Sequence, residues 1–196
     1  LLLCSREEQA MALSVLGLQL EIDGDTKQIP PTGWVVVADE LNHLHSDDFP
    51  EGWIRNTDVV MICSKSSSTT ELSEIAAMLL SSNGFAISLQ NGITNENILA
   101  EKCGSHRTLG ALTTHGATRL GPGITKWAGK GEIVIGNLGA KSDQESDQVS
   151  HLLHVLENAE LEPRWSDSIK SELWMKLLLN CAVNPLAAIC GVSNGT

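Results

Sequence analysis

Lys176, Asn180 and Asn184 are spaced four apart in the run Glu172-Leu-Trp-Met-Lys176-Leu-Leu-Leu-Asn180-Cys-Ala-Val-Asn184-Pro185. At that spacing side chains stand one above another on a helix, so one ammonium and two amides form a single polar stripe. Leu173, Trp174, Leu177, Leu178, Cys181 and Val183 fill most of the remaining circumference, and a helix apolar nearly all round is expected to be buried. Burying an ammonium is costly, and perturbed titratable groups gather where chemistry is done. Each residue alone has a bland reading: a lysine snorkelling to the surface and two exposed asparagines. Three polar groups in register on an apolar helix read better as a polar binding wall.

The elements that must position this helix alternate strands and helices. Leu1–Cys4 is a short apolar strand and Glu7–Leu16 has helical composition. Leu18–Ile22 alternates into Asp23-Gly24, a hairpin signal, and Trp34–Ala38 is another strand candidate. Val59–Cys63 is a continuous apolar run of the kind covered on both faces in a parallel sheet. Thr69 or Thr70 is placed to cap a helix running to Leu80, with Asn83-Gly84 ending it. Phe85–Leu89, a short helix over Asn95–Cys103 and a strand over Thr108–Thr114 follow. Apolar strands alternating with helices predict an α/β fold with a doubly wound sheet. The glycine-rich stretch from Gly116 to Gly139 predicts an antiparallel excursion at the sheet edge. A polar linker and a helix over Gln148–Asn158 precede the helix with the stripe, and Pro185 within it predicts a kink or break.

Ligands of open parallel sheets gather at the carboxyl ends of the strands. Three turns fall there. Arg6 ends the first strand, where an arginine suits the extra phosphate of NADP; a salt bridge with Glu7 or Glu8 explains it equally well. Lys65 follows Val59–Cys63, where a cation could meet a cofactor phosphate, although alone it is a weak sign. Gln90-Asn91-Gly92 follows the next strand and also makes a good plain turn. The phosphate-binding motif G-x-G-x-x-G does not occur in the sequence.

A formal charge of −11 with scattered Lys and Arg argues against a nucleic-acid partner and against a membrane-surface role. No run is expected to span a membrane, and no signal peptide is visible. The five cysteines lack any C-x-x-C and read as reduced thiols of a cytoplasmic protein. The histidine pairs His43/His45 and His151/His154 read as surface residues, so no metal is expected.

The order Ser5-Arg6, Lys65, Leu89-Gln-Asn-Gly92, Thr113-Thr-His-Gly116, Pro122-Gly-Ile-Thr-Lys126, Leu173-Trp-Met-Lys176, Asn180, Asn184-Pro185 and Asn194-Gly195 resembles the ketopantoate reductase family over essentially the whole chain. The run from Trp174 to Pro185 and the Gln-Asn-Gly turn are its most specific parts. The resemblance implies an NADP-binding Rossmann domain followed by an all-helical domain, with the active site in the cleft between them. Here that would be a Rossmann-like domain over residues 1–140, without its first strand and glycine loop, and a linker with the start of the helical domain over 141–196. It implies NADPH-dependent reduction of ketopantoate to pantoate in pantothenate biosynthesis. Lys176 would be the catalytic lysine, and Asn91, Asn180, Asn184 and Asn194 would line the substrate site. Arg6, Lys65 and Asn91 would lie along the cofactor.

That assignment suits the residue types. Hydride delivered to a 2-keto carbon leaves an alkoxide, which an ammonium in a partly dry cleft can stabilise and protonate. Amides donate and accept, as a substrate with a carboxylate and hydroxyls requires. Two alternatives remain open: a related NADP-dependent reductase of another 2-keto or 3-hydroxy acid, or a non-catalytic NADP-binding regulatory protein. A buried proton donor argues against the second. A homodimer is compatible with the sequence. Because the family's glycine loop and most of its helical domain lie outside these residues, the chain by itself is expected neither to bind NADPH tightly nor to turn over.

Overall fold

A computed structural model of the chain describes residues 2–4, 6–31, 35–37, 44–139 and 147–192. In chain order the elements are β1 (Leu2–Cys4), α1 (Glu7–Val15), β2 (Leu18–Ile22), β3 (Asp25–Ile29), β4 (Val35–Val37), β5 (Thr57–Ile62), α2 (Thr69–Leu79) and β6 (Leu80–Ser88). Next come α3 (Asn95–Cys103), β7 (Thr108–Thr113), β8 (Gly116–Gly121), β9 (Ile124–Gly129), β10 (Ile133–Asn137), α4 (Asp147–Asn158), β11 (Pro163–Ser166) and α5 (Ile169–Cys190).

The main sheet has the order β11-β10-β7-β6-β5. β5, β6 and β7 run parallel, β10 is antiparallel to β7, and β11 is parallel to β10. Successive side chains of a strand point to opposite faces, and the sheet's core divides accordingly. Phe85, Ile87, Leu109, Ala111, Ile133 and Ile135 pack on α4 through Val149, Leu152 and Leu156. On other faces, Ile62 and Ala86 meet α2 and α3, while Leu112 and Val134 meet Ile169 and Leu173 of α5. This is the α/β sheet expected from the alternation of apolar runs and helices.

β1 pairs in parallel with β4, as a separate two-stranded unit. Leu2 and Leu3 share with Val59, Met61 and Cys63 the wall of a cavity of about 420 Å³. That cavity leaves Met61 exposed and Val59 and Val60 only half-buried, so β5 is less covered than its composition suggests.

Three local expectations are corrected. The helix expected to be capped by Thr69 or Thr70 begins at Thr69, whose hydroxyl turns back to the Ser66 carbonyl at 2.8 Å. Asn83-Gly84 does not end that helix. β6 starts at Leu80, already paired with Thr57, and runs through Gly84, where a Cβ would lie 2.5 Å from the Thr57 carbonyl oxygen. The glycine-rich excursion does not sit at the edge of the main sheet. β8 and β9 join the Asp23-Gly24 hairpin in a second sheet of order β3-β2-β9-β8, because β9 pairs with the edge of β2 that β3 leaves free. Asp23 and Gly24 both have positive φ, as a tight hairpin turn requires.

α5 is unbroken from Ile169 to Cys190 with Pro185 inside it, so the expected break does not occur. Its seat is a pair of glycines facing one another across β7 and β10, Gly110 and Gly136. A Cβ on Gly136 would lie 2.3 Å from the Ser166 carbonyl oxygen and 2.9 Å from Ile169 Cβ, and one on Gly110 would lie 3.0 Å from Ile169 Cγ1. Ile169 is fully buried in that seat and Leu173 nearly so. Farther along, the expected burial fails: Trp174, Leu178, Leu179, Leu186 and Ile189 are all exposed. α5 packs on β7 and β10 through Ile169 and Leu173, and the described residues offer these later side chains no comparable cover. By length and mean hydropathy alone α5 would also suit a membrane span, contrary to the sequence expectation, although core helices of soluble proteins share those properties.

One buried group works against the fold. Glu96, in the first turn of α3, is 2% exposed, and neither carboxylate oxygen has a partner among the described residues. Burial pushes its carboxyl pKa above the ordinary 4.5, against a smaller opposing pull from its own backbone N–H. A carboxyl that holds its proton more tightly when folded favours the fold below that ordinary value. The contribution is lost as pH rises through the folded value.

Two predictions follow from packing and burial. Gly136→Ala is expected to cost about 1–3 kcal/mol by overpacking, read as a lowered urea midpoint, whereas Gly129→Ala, with open space around it, should be near neutral. Equal midpoints for the two would contradict the seat. Glu96→Gln should be more stable than wild type near neutral pH, with the gap narrowing as pH falls through the raised folded value and gone once pH is below the ordinary 4.5. Urea midpoints measured across that range test it, and parallel pH profiles would contradict it.

Candidate active site

Lys176 stands two turns into α5, half-buried, where the helix still touches the sheet. Leu173 and Leu177 flank it on the helix and Leu112 lies beneath on β7. The opposite wall is the Gln90-Asn91-Gly92 turn after β6, and Asn180 follows one helical turn on; all line one small pocket. Desolvation lowers the Lys176 ammonium's pKa below the ordinary lysine value. Among the described residues it makes no ion pair.

The pocket therefore brings together Lys176, Asn180 and Asn91 of the residues singled out from sequence. Asn184 lies one turn past Asn180, on an exposed stretch of α5 and outside the pocket lining. Asn194 lies outside the described residues. Arg6 is exposed at the start of α1 directly after β1, and Lys65 is exposed just after β5. Neither lines the Lys176 pocket. Both are cations at the carboxyl ends of parallel strands, and among the described residues neither has an ion-pair partner. Each is a residue type that could meet a cofactor phosphate, although they follow strands of different sheets.

A buried network holds the turn that carries Asn91. The Ser88 hydroxyl donates to Gln90 Oε1 at 3.0 Å, and Gln90 Nε2 reaches Ser64 Oγ at 3.4 Å. Asn95 Nδ2 donates to the Asn91 carbonyl at 3.0 Å. Thr69 Oγ1 sits 3.0 Å from both Gln90 Oε1 and Asn95 Oδ1 as well as 2.8 Å from the Ser66 carbonyl, with one proton to share among the three. These contacts tie the loop after β5, the turn after β6 and the starts of α2 and α3 into one unit. Sequence reasoning read Thr69 only as a helix cap and missed Ser88 and Asn95; the one signal was Asn95 standing four residues beyond Asn91.

A second missed cluster fixes the start of α5. Glu172 stands one turn before Lys176, at ion-pair spacing. Its carboxylate is held instead by Arg164 and by the Ser166 hydroxyl, both on β11. Arg164 also grips Glu132 through Nε at 2.7 Å and Nη2 at 3.0 Å. The Arg164 contact holds the Glu172 carboxyl below the ordinary carboxylate range.

The family profile described as ketopantoate reductase PanE/ApbA matches residues 1–140. The 2-dehydropantoate 2-reductase of Pyrococcus abyssi is 33% identical over 137 residues, covering 70% of this chain and 44% of its own length. That of Archaeoglobus fulgidus is 37% identical over 112 residues, covering 57% and 36%. The chain thus spans less than half the length of these relatives. Among solved structures, the 2-dehydropantoate 2-reductase of Geobacter metallireducens superposes with a TM-score of 0.75 at 23% identity, covering 95% of this chain and 56% of that one. A D-mandelate dehydrogenase bound to NADH and anilino(oxo)acetate gives 0.76 at 20% identity, covering 96% and 56%. At those identities the likeness is one of fold, a Rossmann-type sheet followed by helices. By its profile match over residues 1–140, the chain belongs to the ketopantoate reductase family.

Proposed function

We propose that the full-length protein reduces ketopantoate to pantoate, with NADPH as hydride donor and Lys176 as general acid. The observation that carries this reading is the shared pocket of Lys176, Asn180 and the Asn91 turn. There a desolvated ammonium with no ion-pair partner among the described residues faces two amides. NADPH, when bound, supplies the hydride to the keto carbon. The Lys176 ammonium polarises the keto oxygen and delivers a proton to it as negative charge develops. Its lowered pKa makes that proton easier to give than an exposed lysine's. Asn180 and Asn91 orient the substrate through amide donors and acceptors, with Asn184 and Asn194 as further substrate contacts. Arg6 and Lys65 hold the phosphate-bearing end of the cofactor.

A second reading takes another 2-keto acid as substrate. The fold shared with a dehydrogenase of D-mandelate, solved with an oxo-acid ligand, supports it. The two readings share the chemistry at Lys176 and differ in the side chain of the keto acid.

Loss of NADPH absorbance on adding ketopantoate tests the reading in the full-length natural protein. Lys176→Ala should lower turnover by about 10²–10⁴-fold while leaving NADPH affinity essentially unchanged. Undiminished turnover in the variant would refute the lysine's role. No turnover in wild type, with other 2-keto acids accepted, would favour the second reading.

A further inference from the structure

On a helix a glutamate four residues before a lysine is in the favourable order for an ion pair. Glu172 and Lys176 have that order, yet the Glu172 carboxylate is turned to β11. Arg164 Nη1 donates to its Oε1 at 3.0 Å, Arg164 Nη2 reaches Oε2, and the Ser166 hydroxyl donates to Oε1. Arg164 and Ser166 are two apart on one strand and so share a face, which aims both donors at the first turn of α5. Glu132, next to β10, holds the same guanidinium from the other side and fixes its place.

Among the described residues, those packed around Lys176 offer no other counter-ion. The pocket residues Gln90, Asn91, Gly92, Leu112 and Asn180 carry no charge. β7 and β10, against which α5 packs, contain no titratable residue. On α5 itself the charged residues are Lys170, Glu172 and Lys176, with Cys181 and Cys190 as the other titratable groups. Glu172 is therefore the one carboxylate on the helix within reach of the ammonium.

We propose that Arg164, together with Ser166, is a positioning residue: by holding the Glu172 carboxylate against β11 it denies Lys176 an ion-pair partner one turn away. The proposal rests on the reading of Lys176 as the proton donor. A carboxylate beside the ammonium would stabilise its charged form and make the proton harder to give. The clamp on Glu172 and the desolvation of Lys176 then act in the same direction, both favouring release of the proton to substrate.

The test is the titration of Lys176 itself, followed by NMR of lysine labelled with carbon-13 at Cε in the full-length protein. Its resonance is assigned by its loss in Lys176→Arg. Arg164→Met should free Glu172 and raise the Lys176 midpoint by roughly one pH unit, and adding Glu172→Gln to that variant should return it to the wild-type value. An unmoved midpoint in Arg164→Met, or a rise that persists in the double variant, would overturn the proposal. Should Arg164→Met not fold, Glu172→Gln alone decides. An unchanged midpoint supports the clamp, and a fall shows that Glu172 already acts on Lys176 and overturns it. The pH profile of kcat/KM separates the two levels of the account. A basic limb that moves with the midpoint supports both, whereas a moved midpoint with a fixed limb keeps the clamp and removes Lys176 as the acid.

Discussion

The close approach of α5 to the sheet is the constraint on which the site depends. Gly110 and Gly136 face each other across β7 and β10, and Ile169 sits where their side chains would be. Overfilled interiors respond by shifting whole elements, since they are packed as densely as crystals. Lys176 is seven residues beyond Ile169, about 10 Å along the helix axis. A change of seat is therefore carried to the ammonium with little loss. The Arg164 clamp acts on the same first turns from β11, so packing and charge together set where Lys176 stands.

The opposite wall of the pocket is built by different means. The Gln90-Asn91-Gly92 turn depends on a buried set of hydroxyls and amides rather than on apolar packing. Ser88, Thr69 and Asn95 are nearly fully buried, and each contributes to holding the turn. Buried polar groups of this kind are costly when left unpaired and rigid when satisfied. One wall thus comes from a helix end pressed on glycines, and the other from a hydrogen-bonded junction of two loops and two helix starts.

Much of this was legible in the sequence because it is local. Asp23-Gly24 marked the hairpin, the apolar runs marked β5, β6 and β7, and the fourfold spacing marked the stripe on α5. What was not legible depends on partners distant in the chain. Periodicity shows that β8 and β9 are strands but not that β9 pairs with β2. Apolar composition describes what could cover α5 and says nothing of what does, so burial was overestimated beyond Leu173. The spacing of Glu172 and Lys176 favours a pair that Arg164, eight residues before Glu172, prevents. Asn180 and Asn91 reach the pocket as their positions suggested, while Asn184 falls one turn beyond it, on an exposed stretch of α5.

The central claim is that Lys176 delivers the proton in a reduction carried out by the full-length protein. The most direct measurement is a crystal structure of that protein with NADPH and an unreactive 2-keto acid analogue. The account predicts the Lys176 Nζ at hydrogen-bond distance, about 3 Å, from the oxygen that stands for the keto group. A Lys176 ammonium turned away from that oxygen, or paired with Glu172 in the complex, would contradict it.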